Sequence, residues 1–562
     1  MRTIALWAAL SLIAGPSHPE QLPPNFEQQV DAIFADYEGA QPGCAVGVYR
    51  SGNLVFGKGY GLADLSTRED ITTSTVFDVA SLSKQFTAFA IALLEREGRI
   101  TLDSEVQIYV PDLPRFQAPI TIRHLVHHTS GLRDYGSLLE LTGWRFDQPL
   151  SRSEALAWIP RQRELNFAPG TRHEYSNSNY LRLALIVERV TGQSLAQFGE
   201  ERMFRPLGMS RTEFRDDPDG PRPARATNYT RRADGQWTAN HVWDRVPPGS
   251  GGLHTSIEDL GKWDRNFVDP NVGDAALIRT ITSPATLGTG ERLDYGYGLY
   301  LSPYRGLQTV SHSGRGGGTF FLMRLPERQL SVATLCNRYS LGPHATDSAV
   351  LTFAVFDLLL DRSSDGVMTS AADLAPEIPL PTERLATYVG DYWLDAGAPI
   401  RLRLQEGRLV ELLEGGKVDP LIPVAIGRFR SPDGKSTYEF SGEDDQVLKY
   451  EESANDYAVT GERRPAWVRS SVDLTEAAGR YCTAEVPVCW SLVSNGTSLT
   501  LRRPGFPDRV LEPAWRDTFT LVDTDDIGTR TMRLGLRRAS DQTITGFNLS
   551  RARITGLLFE RL

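Results

Sequence analysis

The sequence has no excess of positive charge. The 562-residue chain carries 60 Lys and Arg against 70 Asp and Glu, which gives a formal net charge of -10. Proteins that bind nucleic acid or an anionic membrane surface ordinarily present a basic patch or stripe. The composition therefore argues against nucleic acid and anionic lipid as partners.

Cysteine is scarce, and the four that occur show no CxxC spacing. This excludes a disulfide-rich scaffold and argues against a zinc site. Cys482 and Cys489 flank a short segment, so a disulfide between them is one alternative in an oxidising compartment. For Cys44 and Cys336, free thiols that serve as small core residues explain the sequence about as well as a disulfide does.

The N-terminal apolar segment is short. It runs from Ile4 to Ala14 after the single positive charge of Arg2, whereas a membrane-spanning helix needs roughly 20 apolar residues. These features are typical of a signal peptide, which we assign to residues 1–20. No cysteine follows the run, which argues against a lipid anchor. We predict an exported protein, periplasmic or secreted, with no stable membrane span.

Three common catalytic or binding motifs are missing. The chain has no G-x-S-x-G sequence, which argues against an α/β-hydrolase. His124, His127 and His128 have helical spacing, but no HExxH sequence or nearby carboxylate accompanies them, so we predict no metal site. The glycine-rich run 57–61 leads into a polar turn and not a helix, which argues against a nucleotide. We predict no cofactor.

The length favours two to four domains. Residues 27–361 mix strand-like and helical patterns, as in an α/β or α+β enzyme domain. Residues 362–381 are polar and end in prolines, so we interpret them as a linker. Beyond them helical periodicity gives way to alternation and hairpin turns, as in 400-IRLRLQEGRLVELL-413 and 491-SLVSNGTSLTL-501. We predict two small β-barrel or β-sandwich domains, at 382–467 and 471–562.

The C-terminal region also repeats itself. Leu385, Gly390 and Tyr392 recur as Leu474, Gly479 and Tyr481, in LATYVGDYW and LTEAAGRYC. The recurrence supports the division into two similar units.

The segment 76-VFDVASLSKQFTAFAIALLERE-97 places Ser81 and Lys84 at the head of an apolar helical pattern. Residues three apart share one face of a helix, so the lysine amine would lie beside the serine hydroxyl. Burial disfavours the ammonium form and would leave a neutral amine that accepts the serine proton. The alternative is a serine that caps a helix and a lysine that extends into solvent, and S-x-x-K alone does not decide between them. Ser83 is a weaker nucleophile candidate, because the residue three positions later is Phe86.

Two further segments bear on that choice. In 167-FAPGTRHEYSNSNY-180, a Pro-Gly turn leads into Tyr175 and Asn177, whose phenol and amide would relay protons and orient the lysine. In 308-QTVSHSGRGGGTFFLMRLPERQLSVATLCNR-338, two or three strands are predicted, the first with His312. The backbone amide of Arg315 would join that of Ser81 as an oxyanion hole. Gly314 would allow close approach of the substrate.

Taken in this order, the three segments resemble the penicillin-recognising serine hydrolases, over roughly residues 27–360. Supporting strings are 121-TIRHLVHHTSGL-132, 205-RPLGM-209, 251-GGLHTSIEDLGKW-263 and 295-YGYGL-299. The resemblance implies an α/β (α+β) β-lactamase/DD-peptidase-like catalytic domain, with a central antiparallel sheet flanked by helices, followed here by two small all-β, barrel-like domains. It also implies covalent acyl-enzyme catalysis by Ser81, with Lys84, Tyr175, Asn177 and His312.

The two β-rich domains and the H-x-G sequence in place of K-T-G look most like the D-aminopeptidase branch. Lysine at that strand position helps to hold a substrate carboxylate, whereas His312 is mostly neutral near pH 7, although Arg315 would compensate if it points inward. No E-x-x-L-N-type segment is present to supply a deacylating glutamate. We therefore expect hydrolysis of small peptide, amide or ester substrates. A carboxylesterase, a weak β-lactamase and a non-catalytic binding or sensor protein remain alternatives, and the natural substrate and oligomeric state stay open.

Overall fold

The structure is a computed structural model that describes most of the chain. The described residues are 22–144, 148, 150–216, 225–232, 234–241, 247–339, 348–360, 376–394, 399–413, 417–432, 436–442, 449–454, 457–464, 471–525 and 528–562. The predicted signal peptide and residues 362–375 of the predicted linker lie outside them. No helix in the described ranges is both long and apolar enough to span a membrane.

A five-stranded antiparallel sheet organises the first part of the chain. In spatial order its strands are Val310–Arg315, Thr319–Leu325, Leu330–Cys336, Cys44–Arg50 and Asn53–Tyr60. Side chains alternate between two buried faces: Val46 and Val48 face one core, while Ala45 and Tyr49 face the other. Because both faces are covered there, the three central strands Thr319–Leu325, Leu330–Cys336 and Cys44–Arg50 are apolar with little polar alternation.

Helices cover both faces of this sheet. Phe26–Ile33 and Ser348–Leu359 pack on one side, and Ile257–Val268 packs on the other beside the buried helix Lys84–Arg96. The remaining helices of this part are Ile122–Val126, Tyr135–Glu140, Arg152–Trp158, Asn177–Thr191, Leu195–Gly199, Arg205–Leu207 and Ala275–Ile281. Short strands complete it: Leu62–Asp64, Glu69–Asp70, Phe77–Asp78, Glu213–Phe214, Tyr229–Arg231, Trp237–Ala239, Leu253–Thr255, Pro303–Tyr304, Leu307–Gln308 and Arg338–Tyr339.

The cysteines of the central sheet are paired. Cys44 and Cys336 are direct register partners on neighbouring strands, and a disulfide joins them. The free-thiol alternative for these two residues is therefore wrong. A sequence cannot show this pairing, because the partners lie 292 residues apart and only the register of the sheet brings them together. A second disulfide joins Cys482 and Cys489.

In the described residues after 376, the chain is all β apart from two short helices, Thr382–Ala386 and Ser471–Ala477. The first nine strands of this part form one antiparallel sheet, whose two edge strands, Val418–Pro420 and Ile422–Ala425, are consecutive in the chain. In chain order the nine strands are Gly390–Leu394, Pro399–Gln405, Arg408–Leu412, Val418–Pro420, Ile422–Ala425, Arg428–Arg430, Ser436–Ser441, Lys449–Ala454 and Tyr457–Arg463. We call it the first barrel. The next eight close into the terminal barrel: Gly479–Cys482, Cys489–Ser494, Leu499–Arg502, Arg509–Pro513, Thr518–Asp525, Gly528–Arg538, Ile544–Arg551 and Ile554–Arg561. The predicted fold class is confirmed, whereas the domain limits stay predictions.

The repeated sequence has a structural counterpart in both barrels. The hydroxyl of Tyr392 donates to the carbonyl of Tyr388, and that of Tyr481 donates to Ala477, each four residues earlier. An arginine of the last strand passes over the repeated glycine in each case. A Cβ on Gly390 would lie 2.6 Å from Nε of Arg463, and a Cβ on Gly479 would lie 3.0 Å from Nε of Arg561. Glycine recurs because the arginine fills the space that a side chain would occupy.

The terminal barrel docks on the part of the chain that contains the five-stranded sheet and its helices. Leu138 and Leu141 of the helical region join the hydrophobic core of that barrel. Beside them the guanidinium of Arg133 pairs with the carboxylate of Glu485 at 2.9 Å, with side chains only 1% and 6% exposed. A buried pair of this kind ties the two parts together, since separating them would leave charges without partners.

Candidate active site

Ser81 lies in a tight turn directly before a buried helix. Residues Ala80–Ser83 form one 3₁₀ turn, and the α-helix begins at Lys84. Ala80 has a φ of +46°, in the left-handed region that residues with a side chain rarely adopt, and its amide donates to Asp78 Oδ1. Unusual backbone of this kind is concentrated at functional sites. The turn presents Ser81 to a cavity.

Lys84 is completely buried and touches three oxygen atoms. Its Nζ lies 2.9 Å from Ser81 Oγ, 2.9 Å from Asn177 Oδ1 and 2.6 Å from the carbonyl of Ser250. Burial holds the pKa of this amine well below its ordinary value, and the charge of Arg553 acts in the same direction. A neutral amine donates two hydrogens, here to Asn177 and Ser250, and keeps a lone pair for the hydroxyl of Ser81.

Tyr175 lies against the same amine. Its ring centroid is 4.7 Å from Lys84 Nζ, and its other neighbours include the buried His128 at 4.4 Å. Burial raises the pKa of the Tyr175 phenol well above its ordinary value, while Arg553 and a hydrogen bond with Ser81 act in the opposite direction. The phenol is therefore protonated at neutral pH. In this form it can relay a proton, whereas it carries no permanent negative charge.

Asn177 begins the helix Asn177–Thr191, which fixes its amide beside Lys84. Its backbone N–H donates to Asp134 Oδ2 at 2.6 Å. Asp134 in turn caps the helix Tyr135–Glu140 through Oδ1, which accepts the backbone amides of Gly136 and Ser137. One carboxylate thus connects two helix starts and positions Asn177.

His312 lines the cavity as a neutral group. Its Nδ1 lies 2.6 Å from the carbonyl of Ser313, so Nδ1 carries the hydrogen, and Nε2 has no hydrogen-bond partner among the described residues. Burial lowers the pKa of His312 to about 3, with a further contribution from the charge of Lys84. The side chain thus presents a hydrogen-bond acceptor near neutral pH, not a positive charge.

Gly314 brings the His312 strand against the turn that contains Ser81. A Cβ at this position would lie 2.2 Å from the carbonyl oxygen of Val79, so no other residue fits this close approach. Ser313 and Arg315 line the cavity, whereas Gly314 faces the turn and is not among the lining residues. Arg315 and Ser81 therefore border one cavity, while the oxyanion hole itself stays a prediction.

The cavity has a volume of about 500 Å³, which is typical of a site for a small molecule or short peptide. It brings together Ser81, Tyr175, Asn177, His312 and Arg315 from three separate segments. The sequence interpretation missed several residues of its wall: Asp134, Glu140, Trp144, Ser250, Tyr300, Ala552 and Arg553. Asp134 lies two residues after the quoted string 121–132, but nothing in the sequence indicates Arg553.

The three histidines of the predicted helix point to different places. His124 completes a capping box with Thr121, His127 contacts the carbonyl of Gly296, and His128 accepts from the backbone N–H of Ser176. Among the described residues no group of His, Cys, Asp and Glu could hold a metal ion.

Ser83 does not compete with Ser81. It is fully buried, its hydroxyl donates to the carbonyl of Ala80, and it accepts from the amide of Leu253 at 3.1 Å. The hydroxyl of Ser83 therefore stabilises the turn.

A serine paired with a buried lysine at the start of a helix, beside an antiparallel sheet covered by helices, is typical of the class of serine hydrolases that form acyl-enzymes. A comparison with family models agrees: the Beta-lactamase model matches residues 25–355, and the chain belongs to this family.

Among curated proteins, similar relatives are named D-aminopeptidase. The one from Gluconobacter oxydans is 31% identical over 56% of this chain and 59% of its own length. The one from Brucella ovis is 27% identical over 86% of this chain and 87% of its own length, so that similarity extends into the barrels. The chain thus spans less than two thirds of the first relative and most of the second.

Solved structures share the fold. A penicillin-binding protein homologue from Pyrococcus abyssi, described as octameric, matches with a TM-score of 0.53 at 22% identity, over 78% of this chain and 99% of that one. D-amino acid amidase from Ochrobactrum anthropi SV3 matches with a TM-score of 0.50 at 22% identity, over 60% of this chain and 98% of that one. At this identity they support the fold alone.

Proposed function

We propose that the protein hydrolyses amide or ester bonds in small substrates through an acyl-enzyme on Ser81, with D-aminopeptidase-like cleavage of D-amino-acid amides and short peptides as its activity. The observation that carries the proposal is the position of Lys84 Nζ, buried and 2.9 Å from Ser81 Oγ. The D-aminopeptidase relatives support the choice of substrate.

In the first step Ser81 Oγ attacks the carbonyl carbon, and its proton moves to the neutral amine of Lys84. The backbone amides of Ser81 and Arg315 receive the developing oxyanion. The Tyr175 phenol relays a proton to the leaving nitrogen or oxygen as its bond to the acyl carbon breaks. Water then attacks the acyl carbon and gives a proton to the same amine. The bond between the acyl carbon and Ser81 Oγ breaks, Lys84 returns the proton to Oγ, and the acid leaves. His312 Nε2 accepts a hydrogen bond from the substrate.

A non-catalytic binding protein explains this site less well. Complete burial of a lysine is unfavourable unless the amine loses its charge or finds partners. Here the amine also lies beside a serine that faces a cavity. That arrangement has a chemical use only if the serine reacts.

The test is covalent labelling with a fluorophosphonate, in which Ser81 Oγ displaces fluoride from phosphorus. We expect intact mass to rise by one adduct on the wild type, no adduct on Ser81→Ala, and an adduct mapped to Ser81 on the control Ser83→Ala. A folded wild-type protein that takes no adduct would exclude the serine hydrolase mechanism.

Substrate choice is tested on one preparation with D- and L-amino-acid amides, short D-peptides, p-nitrophenyl esters and nitrocefin. We expect the D-amides or D-peptides to give the highest kcat/KM. Predominant turnover of nitrocefin would contradict the expectation drawn from a neutral His312, and predominant turnover of esters would favour the carboxylesterase alternative.

We also propose that the protein is exported. Its two disulfides support this, because such bonds persist in oxidising compartments. Fractionation of cells that express the full chain should recover a form shortened at its N-terminus from the periplasm or medium. Recovery of the unshortened chain from the cytoplasm would contradict export.

A further inference from the structure

A turn of the terminal barrel reaches the cavity of the catalytic domain. The strands Ile544–Arg551 and Ile554–Arg561 are joined by Ala552 and Arg553, and both of these residues line the cavity. Ala552 has a φ of +47°, as a tight connection between two strands requires. The wall of the site is therefore built from both ends of the chain.

Side chains of the catalytic domain hold this turn in place through hydrogen bonds to its backbone. The side chain of Asn166 accepts from the amide of Thr555 at 2.8 Å and donates to the carbonyl of Arg553 at 3.1 Å. Arg133, already paired with Glu485, donates to the carbonyl of Thr555 at 3.3 Å. The backbone is fixed at Arg553 itself and two residues later, at Thr555, so the Arg553 side chain starts from a defined position.

The guanidinium of Arg553 contacts two groups that themselves position Lys84. Its Cζ lies 4.6 Å from the ring centroid of Tyr175, a cation–π distance, and its Nη1 lies 3.5 Å from Asp134 Oδ2. Tyr175 therefore has the Lys84 amine of the catalytic domain and the Arg553 guanidinium of the barrel each within 5 Å of its ring centroid. The same oxygen of Asp134 accepts the backbone N–H of Asn177 at 2.6 Å.

We propose that Arg553 is a positioning residue of the catalytic group: from the terminal barrel it holds Tyr175 and Asp134, and through them Asn177 and Lys84, in the arrangement that activates Ser81. The inference rests on the proposed function. It gives the barrel a part in the acylation step itself, separate from any effect on the size of the cavity.

Arg553 also adds a permanent positive charge beside the amine. That charge favours the neutral form of Lys84, in addition to the larger effect of burial. Acylation needs the neutral amine, so loss of the charge raises the lysine pKa and moves the acid limb of the rate profile to higher pH. The other charged or titratable groups that face Lys84 or Tyr175 are Asp134, His128, His312, Tyr180, Tyr295 and Tyr300.

The experiment measures the second-order rate of fluorophosphonate labelling from pH 5 to 9 on the full chain. Arg553→Gln removes the charge, Arg553→Met keeps only the apolar stem, and Arg553→Lys restores a cation. Arg538→Gln is the matched control, since Arg538 pairs with Asp517 elsewhere on the same barrel. The probe does not depend on the identity of the natural substrate.

We expect Arg553→Gln and Arg553→Met to label about tenfold more slowly at neutral pH and to show an acid limb at higher pH. Arg553→Lys should move the limb back toward the wild-type position, and Arg538→Gln should match the wild type. Melting temperatures of the four variants separate these effects from loss of folding; if one neutral variant is unstable, the other is used.

Wild-type rate and pH profile in a folded Arg553→Gln would overturn the inference. A slower rate in Arg553→Gln would also overturn it if the acid limb stays in place and Arg553→Lys does not restore the rate. That result would mean that Arg553 acts only through packing. Either result leaves labelling of the wild type intact. Absence of labelling in the wild type instead removes the proposed function.

Discussion

In both C-terminal barrels a short helix leads into a first strand whose buried tyrosine hydrogen-bonds to the carbonyl four residues earlier. The barrels differ in what they touch. The terminal barrel contributes Ala552 and Arg553 to the cavity wall, whereas none of the described residues of the first barrel lines it. A ring contact links the barrels at 4.8 Å, between Trp393 and Trp515.

The two barrels share the packing of their interiors, whereas the residues on their surfaces differ. The repeated residues Gly390 and Gly479, with their tyrosines, serve the interior of each barrel. Arg553 and Glu485 lie at the docking surface, where the terminal barrel alone meets Asp134 and Arg133. Four predictions test this division between shared interior and separate surface.

The largest effect is expected for a change outside both barrels. Lys84→Met should reduce fluorophosphonate labelling by about 10²- to 10⁴-fold, because the serine loses its base. Both barrels should keep the melting behaviour of the wild type. In the wild type, labelling should fall as pH falls through the lowered pKa of Lys84, since protonation removes the lone pair.

His312 should not contribute to that pH dependence. Its pKa of about 3 leaves it neutral across the measured range. His312→Gln should lower the rate without moving the acid limb, and a limb that moves in this variant would contradict the assignment of the base to Lys84.

The second prediction compares one ion pair of each barrel. Arg133→Ala leaves the carboxylate of Glu485 buried without its partner and should cost about 3–5 kcal/mol of stability. Arg403→Ala removes a pair with Asp391 whose side chains are 38% and 33% exposed, and it should cost about 0–1 kcal/mol. Calorimetric unfolding of both variants checks this, and equal losses would contradict the view that the docking surface is special.

The third prediction concerns the disulfide that distinguishes the terminal barrel. Cys482 and Cys489 are bonded seven residues apart, and the region of the first barrel contains no cysteine. Replacing both by serine should destabilise the terminal barrel by about 2–3 kcal/mol through loss of loop closure. Hydrogen exchange should report faster opening in the terminal barrel only; a change in the first barrel would show that the two unfold together.

The smallest effect should be equal in both barrels. Tyr392→Phe and Tyr481→Phe each remove one buried hydrogen bond to a backbone carbonyl, at about 1 kcal/mol. Neither change should alter labelling of Ser81. Losses that differ by more than about 1 kcal/mol would mean that the repeated tyrosines have different roles.

Much of the fold could be predicted because the patterns are local. Alternation and turn residues located the hairpins at Glu406-Gly407 and Asn495-Gly496, since hairpin register is set by a few neighbouring residues. The helix Asn177–Thr191 and the three strands within 308–338 follow from periodicity for the same reason. Disulfide pairing at Cys44 could not be predicted, because it depends on the register of distant strands.

The candidate site divides in the same way. Ser81 and Lys84 are three residues apart, so one helix turn suffices to bring them together. Asn177, His312 and Arg315 were found because short motifs surround them. Ser250 and Arg553 have no local motif, and their positions depend on how distant segments pack.

The sequence by itself determined the spacing of Ser81 and Lys84, on which the proposed chemistry depends, and the helix that buries Lys84, because spacing and hydrophobicity act over a few residues. Only the tertiary structure decided which charges surround that pair. Arg553 lies 472 residues after Ser81 in the chain, and it meets Tyr175 because the terminal barrel docks through Arg133, Asn166 and a shared apolar core. Contacts between segments so far apart depend on packing of whole domains, which no local pattern encodes.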